Sequence, residues 1–176
     1  SCPCVARGRV ALAAYTSATP TRETHDMTVT GDDINALIQA QAPAGMDILI
    51  PPPSLIDMAG EFLSYEEGSR IRVRFPVLPR YRNPMGNMQG GLIVAALDNT
   101  LGPLSYLIAP PSVTASLNTQ YLRPVTDGTA YIVCEAWLVE RTRNTLYLSA
   151  DVRNPDGKVV ALCQSVNQIM PAPRPA

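Results

Sequence analysis

The sequence predicts an α+β domain in which an antiparallel sheet of five to six strands wraps around one central helix, with an N-terminal helical extension ahead of it. Three observations carry this. From Glu61 onward, apolar and polar residues alternate with period two in several separate runs. One stretch, Gly91 to about Leu107, is apolar almost all round, the pattern of a helix buried in a core. The 176 residues are 46% hydrophobic and only 16% charged, which suits a single domain with a sizeable core and excludes a disordered chain.

The elements follow in order. Residues 1–26 keep no sustained period and read as a flexible tail; the chain opens on Ser1, and Met27 reads as a native start. Residues 27–60 form a helical and proline-rich extension. Thr30-Gly31-Asp32-Asp33 is a helix entry, because carboxylates are favoured at a helix N-terminus, and Ile34, Leu37 and Ile38 mark one face of a short helix to about Gln41. Pro43, Gly45 and the triplet Pro51-Pro52-Pro53 end that helix and impose an extended passage. Residues 61–170 are the domain proper, and 171–176 a C-terminal tail. Ile71, Val73, Phe75 and Val77 alternate with Arg70, Arg72 and Arg74, predicting a half-buried strand. Val113, Leu117 and Tyr121 alternate with Thr114, Asn118 and Gln120, and Leu146, Leu148, Ala150 and Val152 with Tyr147, Ser149, Asp151 and Arg153. Ala130–Val139 and Val159–Met170 are apolar on both faces and suit central strands. Asn154-Pro155-Asp156-Gly157 is a turn joining the last two strands.

Composition excludes several functions. Lys plus Arg number 14 against 15 Asp plus Glu, and no basic run is interleaved with aromatics, so no field attracts nucleic acid. Gly90–Ala109 is as long as a bilayer span but carries Asp98, Asn99, Gly102 and Pro103, which favours a soluble core helix over a membrane span. His25 is the only histidine, and it lies in the tail, so a Ser-His-Asp triad, a Cys-His pair or a His-rich metal site must use it or be discarded. Cys2 and Cys4 lack a second ligand pair, and Cys134 and Cys163 sit in apolar runs. They read as reduced thiols in a cytoplasmic protein that needs no metal and no cofactor.

The chemistry concentrates in one place. The forty residues from Asn83 to Leu122 contain a single charge, Asp98, set among Val94, Ala95, Leu97 and Leu101. A carboxylate on such a helix is expensive to bury unless paired, and is a candidate base or nucleophile. Gln89-Gly90-Gly91 opens the helix, where two glycines permit close approach and free N–H groups favour developing negative charge. Gly90 and Asp98 are eight residues apart, roughly 12 Å at 1.5 Å per residue, so one helix cannot bring its own carboxylate to its own N-terminal amides. Two copies packed antiparallel across a two-fold axis can, so if both features are functional the sequence implies a dimer with two shared sites.

Tyr81-Arg82-Asn83-Pro84-Met85-Gly86-Asn87-Met88-Gln89-Gly90-Gly91, with Leu97-Asp98-Asn99 and Tyr121-Leu122-Arg123-Pro124, resembles the hotdog-fold acyl-CoA thioesterases, in particular the phenylacetyl-CoA-type branch. That family carries an Asn, six residues on a His-Gly-Gly, and nine residues after the His a catalytic Asp. Here Asn83 precedes Gln89 by six and Gln89 precedes Asp98 by nine. The resemblance spans residues 61–170. It implies a homodimer, possible pairing into a tetramer, and hydrolysis of an acyl-CoA to a carboxylic acid and CoA. It implies that Asp98 activates water or attacks the thioester, that the Gly90 N–H with Asn83 polarises the carbonyl, and that Thr114 orients the water. Gln89 stands where the family has His and, with Gly91, supports the site; an amide still donates and accepts hydrogen bonds. Arg123, Arg141 and Arg143 fall near positions that meet CoA phosphates. Outside the resemblance, and without a counterpart in the family, the Pro51–Gly60 segment is expected to cover the acyl end. The alternatives are a non-catalytic acyl-CoA or lipid-binding hotdog protein and a small-molecule-binding domain that only looks enzymatic.

Overall fold

A computed structural model describes residues 30–42 and 48–171. Cys2, Cys4, His25, Met27, Pro43 and Gly45 lie outside the described residues. Helix α1 (Gly31–Gln41) starts where a reciprocal cap can form: the Asp33 carboxylate accepts from the Thr30 N–H at 2.9 Å, and the Thr30 hydroxyl oxygen accepts from the Asp33 N–H at 3.3 Å. The Thr30 hydroxyl also donates to the Asp33 carboxylate at 2.7 Å, and this bond together with that from the Thr30 N–H holds the carboxyl below its usual range. Only Ile34 and Ile38, one turn apart, are buried; Leu37 lies off their stripe and is exposed, which narrows the expected apolar face. A short helix α2 (Pro53–Asp57) follows, begun by a proline whose missing N–H costs nothing at a helix start.

Six strands make one antiparallel sheet: β1 (Glu61–Glu66), β2 (Arg70–Pro76), β3 (Ser112–Tyr121), β4 (Tyr131–Arg141), β5 (Thr145–Arg153) and β6 (Val159–Ile169), in the order β1-β2-β4-β5-β6-β3. Helix α3 (Gly90–Ile108) runs between β2 and β3 in sequence and packs against the sheet. The period-two pattern determines which side faces it: Ile71, Val73 and Phe75 are fully buried, while Arg70 and Arg72 pair with Glu135, and Arg74 with Glu61, on the outer face. Leu97, Leu101 and Leu104 of α3 complete the core with Ile132, Leu146, Leu148 and Val152. The β5–β6 connection is the expected turn. Asn154 exchanges backbone hydrogen bonds with Gly157 and Lys158, and Gly157 takes φ +76°, a conformation glycine adopts without strain.

Strand β3 departs from expectation. Its alternation reads as half-buried, yet Val113 and Tyr121 are each 52% exposed. The reason is position: β3 is the sheet's edge, paired only to β6, and a bulge between Thr114 and Ser116 shifts its register. Helix α3 is long and apolar enough to cross a membrane, but half of that stretch is buried inside the fold, as befits a core helix.

Candidate active site

Helix α3 and strand β3 lie side by side and run in opposite directions, so each end of β3 meets a different part of α3. At one end, the Thr114 hydroxyl donates to the Asp98 carboxylate at 3.3 Å. At the other, the Tyr121 hydroxyl donates to the Gly90 carbonyl at 2.9 Å. The candidate residues therefore fall into two groups along one exposed edge.

The first group centres on Asp98. Leu97 and Leu101 are buried as helical spacing requires, but Asp98 itself is exposed, contrary to the expectation that its apolar neighbours enclose it. Asp98 lies at the open border between α3 and the edge strand β3, whose Thr114 reaches it. There it borders a cavity of about 320 Å³ shared with Gly102, Pro103 and Tyr106 of α3, with Ile38 of α1, and with Ile48, Leu49, Ile50, Pro52 and Pro53. Next to it, Asn99 accepts a hydrogen bond from the Ser54 hydroxyl at 2.8 Å and so ties α2 to α3.

The second group surrounds the start of α3. Asn83, Asn87, Gly90, Tyr121 and Arg123 line a second cavity of about 330 Å³. Asn83 Oδ1 accepts from the N–H groups of Met85 (2.9 Å) and Asn87 (3.2 Å), which shapes the loop before the helix. Those two bonds also fix the orientation of the amide and leave Nδ2, a donor, for a ligand. The Gln89 carbonyl accepts from Leu92 and Ile93, whereas the N–H groups of Gly90 and Gly91 carry no hydrogen bond among the described residues. Two unspent donors thus stand at the positive end of the helix dipole. Gln89 is the exposed N-cap, and its side chain makes no capping bond. A Cβ at Gly90 would sit 3.0 Å from the Tyr121 hydroxyl and 3.1 Å from its Cζ. Sequence reasoning missed Tyr121 as a site residue; only its place seven residues after Thr114 on one strand could have signalled it.

The three arginines separate. Arg123 borders the Gly90 cavity while its guanidinium donates to the Val159 carbonyl at 2.6 Å. Arg141 lies at the far end of α3, donating to the Ile108 carbonyl at 2.7 Å, where a cation complements the helix C-terminus. Arg143 is exposed in the β4–β5 connection. Cys134 and Cys163 are buried and unbridged, and burial pushes both thiols up, so neither is poised as a thiolate nucleophile. Among the described residues no cluster of His, Cys, Asp or Glu could hold a metal ion.

Residues 85–161 match the thioesterase superfamily, a span that includes Gly90, Asp98, Thr114 and Arg123 and begins just after Asn83. Over that span the chain is similar to the thioesterase superfamily, and its architecture is the hotdog fold. Solved structures agree on the fold. A thioesterase from Haemophilus influenzae superposes with a TM-score of 0.66 at 20% identity, over 82% of this chain and 93% of that one. A phenylacetic acid degradation-related protein from Ralstonia eutropha JMP134 does so at 0.64 and 22% identity, over 77% and 98%. A Streptococcus mutans UA159 protein bound to acetyl CoA does so at 0.61 and 20%, over 73% and 97%. No curated protein matches the chain in sequence.

Proposed function

We propose that this hotdog domain is a cytoplasmic acyl-CoA thioesterase that works as a homodimer, with Asp98 of one subunit facing Gly90 and Asn83 of the other. The observation that carries the reading is the placement of two incomplete half-sites along the exposed edge strand. Asp98 and Thr114 lie at one end of β3, and Gly90 and Asn83 lie at the other. One half has a base and no oxyanion donor; the other has donors and no base. An exposed ten-residue edge invites pairing with another strand, and antiparallel pairing of β3 with its own copy superposes opposite ends. Each base then meets the other subunit's amides. The apolar side chains of Val113 and Tyr121, exposed in one chain, suit burial at such a contact. Two such dimers could pair further through the outer sheet faces.

In this arrangement the thioester carbonyl oxygen sits against the Gly90 N–H and the Asn83 Nδ2. Asp98 takes a proton from water positioned by Thr114, or attacks the carbonyl carbon itself to give an anhydride that water then opens. Both routes form a C–O bond, break the C–S bond and release CoA as a thiol after proton transfer to sulfur. Arg123, beside the Gly90 cavity, is placed to meet a CoA phosphate, with Arg141 and Arg143 further off. Structures of other hotdog proteins hold acetyl CoA and coenzyme A, which supports a CoA ester as the substrate. A structural neighbour described as a phenylacetic acid degradation-related protein supports the aromatic branch.

The test separates enzyme from binder and one chain from two. Thiol release is measured across acetyl, octanoyl, phenylacetyl and succinyl-CoA; release from at least one is expected, and flat traces for all would leave a binding protein. Asn83→Ala and Asp98→Ala homodimers should each be nearly inactive. Refolded together in equal amounts, about half the dimers are mixed, and each carries one intact site, so roughly a quarter of the original activity should return. No recovery with subunit exchange verified by mass would place Asn83 and Asp98 within one chain's site.

A further inference from the structure

The cavity beside Asp98 is built partly from chain that the superfamily match does not include. Its outer wall is Ile48–Pro53, ahead of residues 85–161, and its floor is the face of α3 that carries Asp98, Gly102 and Tyr106. That wall is anchored. Ser54 donates to Asn99 Oδ1 at 2.8 Å, Asn99 Nδ2 reaches the Met58 sulfur at 3.5 Å, and Ile34 and Ile38 of α1 are buried beneath. With both ends of the Asn99 side chain spent in this way, Asp98 is the one remaining carboxylate or amide on the lining among the described residues, and Tyr106 adds a phenol. Everything else there is aliphatic, proline or the ring of Tyr106. A carboxylate at one end of an otherwise apolar cavity suits a substrate that is reactive at one end and greasy at the other.

Gly102 decides how much room that substrate has. It lies four residues past Asp98, one turn and roughly 6 Å along the same helix face. Glycine inside a helix is less stable than alanine by about 0.5–1 kcal/mol. No packing demands it here, because a Cβ at Gly102 would meet nothing within 4 Å. A residue that weakens the helix and touches nothing leaves open space on the cavity floor. From Asp98 to Tyr106 the floor extends eight residues, roughly 12 Å, room for a medium-length alkyl chain or an arylalkyl group. Among the described residues no cation lines the cavity to pair with a charged tail.

We propose that this cavity receives an uncharged, apolar acyl group of medium length, with Ile48–Pro53 as its wall and Gly102 as the residue that sets its size. The assignment rests on the thioesterase reading for the reaction, but its binding arm does not depend on turnover. The experiment compares the full chain with Gly102→Leu and with Gly102→Ala, which keeps the helix if the larger variant misfolds. Thiol release gives kcat/KM for acetyl, octanoyl, phenylacetyl and succinyl-CoA, and calorimetry gives Kd for non-hydrolysable thioether analogues of the acetyl and octanoyl esters. The original protein should favour octanoyl or phenylacetyl over acetyl and succinyl. Gly102→Leu should lower the octanoyl-to-acetyl ratio at least tenfold in kcat/KM and move the Kd ratio with it, and Gly102→Ala should shift both in the same direction by less. Turnover with an unchanged ratio in both variants would overturn the role of Gly102. Affinity independent of acyl length would mean that protein fills the cavity, and would overturn the whole assignment. Length-dependent binding of the analogues without any hydrolysis would uphold the pocket while removing the proposed reaction.

Discussion

Replacing Gly90 with alanine should cost turnover and leave stability almost unchanged, because of one aromatic ring. The new Cβ would lie 3.0 Å from the Tyr121 oxygen, 3.1 Å from Cζ and 3.4 Å from Cε1. Relaxed carbon contacts begin near ~3.5 Å, so the ring or the helix start must give by about 0.4 Å. Tyr121 is half exposed and can swing outward, which sacrifices its 2.9 Å bond to the Gly90 carbonyl. A neutral hydrogen bond of that kind contributes ~0.5–1.5 kcal/mol. The gain in helix propensity from glycine to alanine is of similar size, ~0.5–1 kcal/mol. The two nearly cancel, so the melting temperature should move by no more than about 4 °C. Catalysis has no such compensation. The Gly90 amide is the proposed oxyanion donor, and losing one such donor entirely costs ~10²–10³ in kcat. Tilting it by a few tenths of an ångström should forfeit part of that, a drop of about 10- to 100-fold. Steady-state kinetics and a thermal melt on Gly90→Ala read both quantities. Repeating the pair in a Tyr121→Ala background locates the cause, since the three atoms nearest the added methyl all belong to that ring and its removal relieves the crowding. Full turnover in Gly90→Ala, or an equal loss with and without the Tyr121 ring, would refute this reasoning.

The remaining predictions concern the carboxylate, the altered family position and the thiols. Asp98→Asn preserves size and the Thr114 contact but removes the base, so kcat should fall by ~10²–10⁴ while a CoA thioether analogue still binds; near-normal kcat would exclude Asp98 from the reaction. Gln89→His restores the residue usual in the resembled family at an exposed cap whose side chain makes no capping bond, so the fold should tolerate it and activity should be kept or raised. An inactive but folded Gln89→His protein would show a site rebuilt around the amide. Cys134 and Cys163 should resist a thiol reagent in the native state and react on unfolding, because burial disfavours both thiolates. Fast native labelling at either position would contradict the packing described for β4 and β6.

What was legible in the sequence is what local pattern determines. Helix α3 extends one residue beyond the expected Gly91–Leu107 at each end, since an apolar stretch between a Gly-Gly opening and the prolines at 110 and 111 leaves little choice. The runs that are apolar on both faces became the interior strands β4 and β6, and Asn154–Gly157 supplied its turn from backbone preference alone. Edge position is not local. The alternation in β3 looks like that of β5, and only the sheet order shows that Val113 and Tyr121 lack cover within the chain. The exposure of Asp98 has the same origin: helical spacing identifies its neighbours but not which side of α3 the sheet will take. Contacts of long sequence separation were invisible altogether. Tyr121 reaches Gly90 across 31 residues, and Ser54 reaches Asn99 across 45. These tertiary bonds are what position the two half-sites and the wall beside them. Motif spacing thus indicates which atoms could do chemistry, while the path of an edge strand determines that a single chain presents them apart. That separation makes a second copy of the chain part of the proposed catalyst: the same exposed edge that leaves Asp98 without an oxyanion donor offers the surface through which another subunit can supply one.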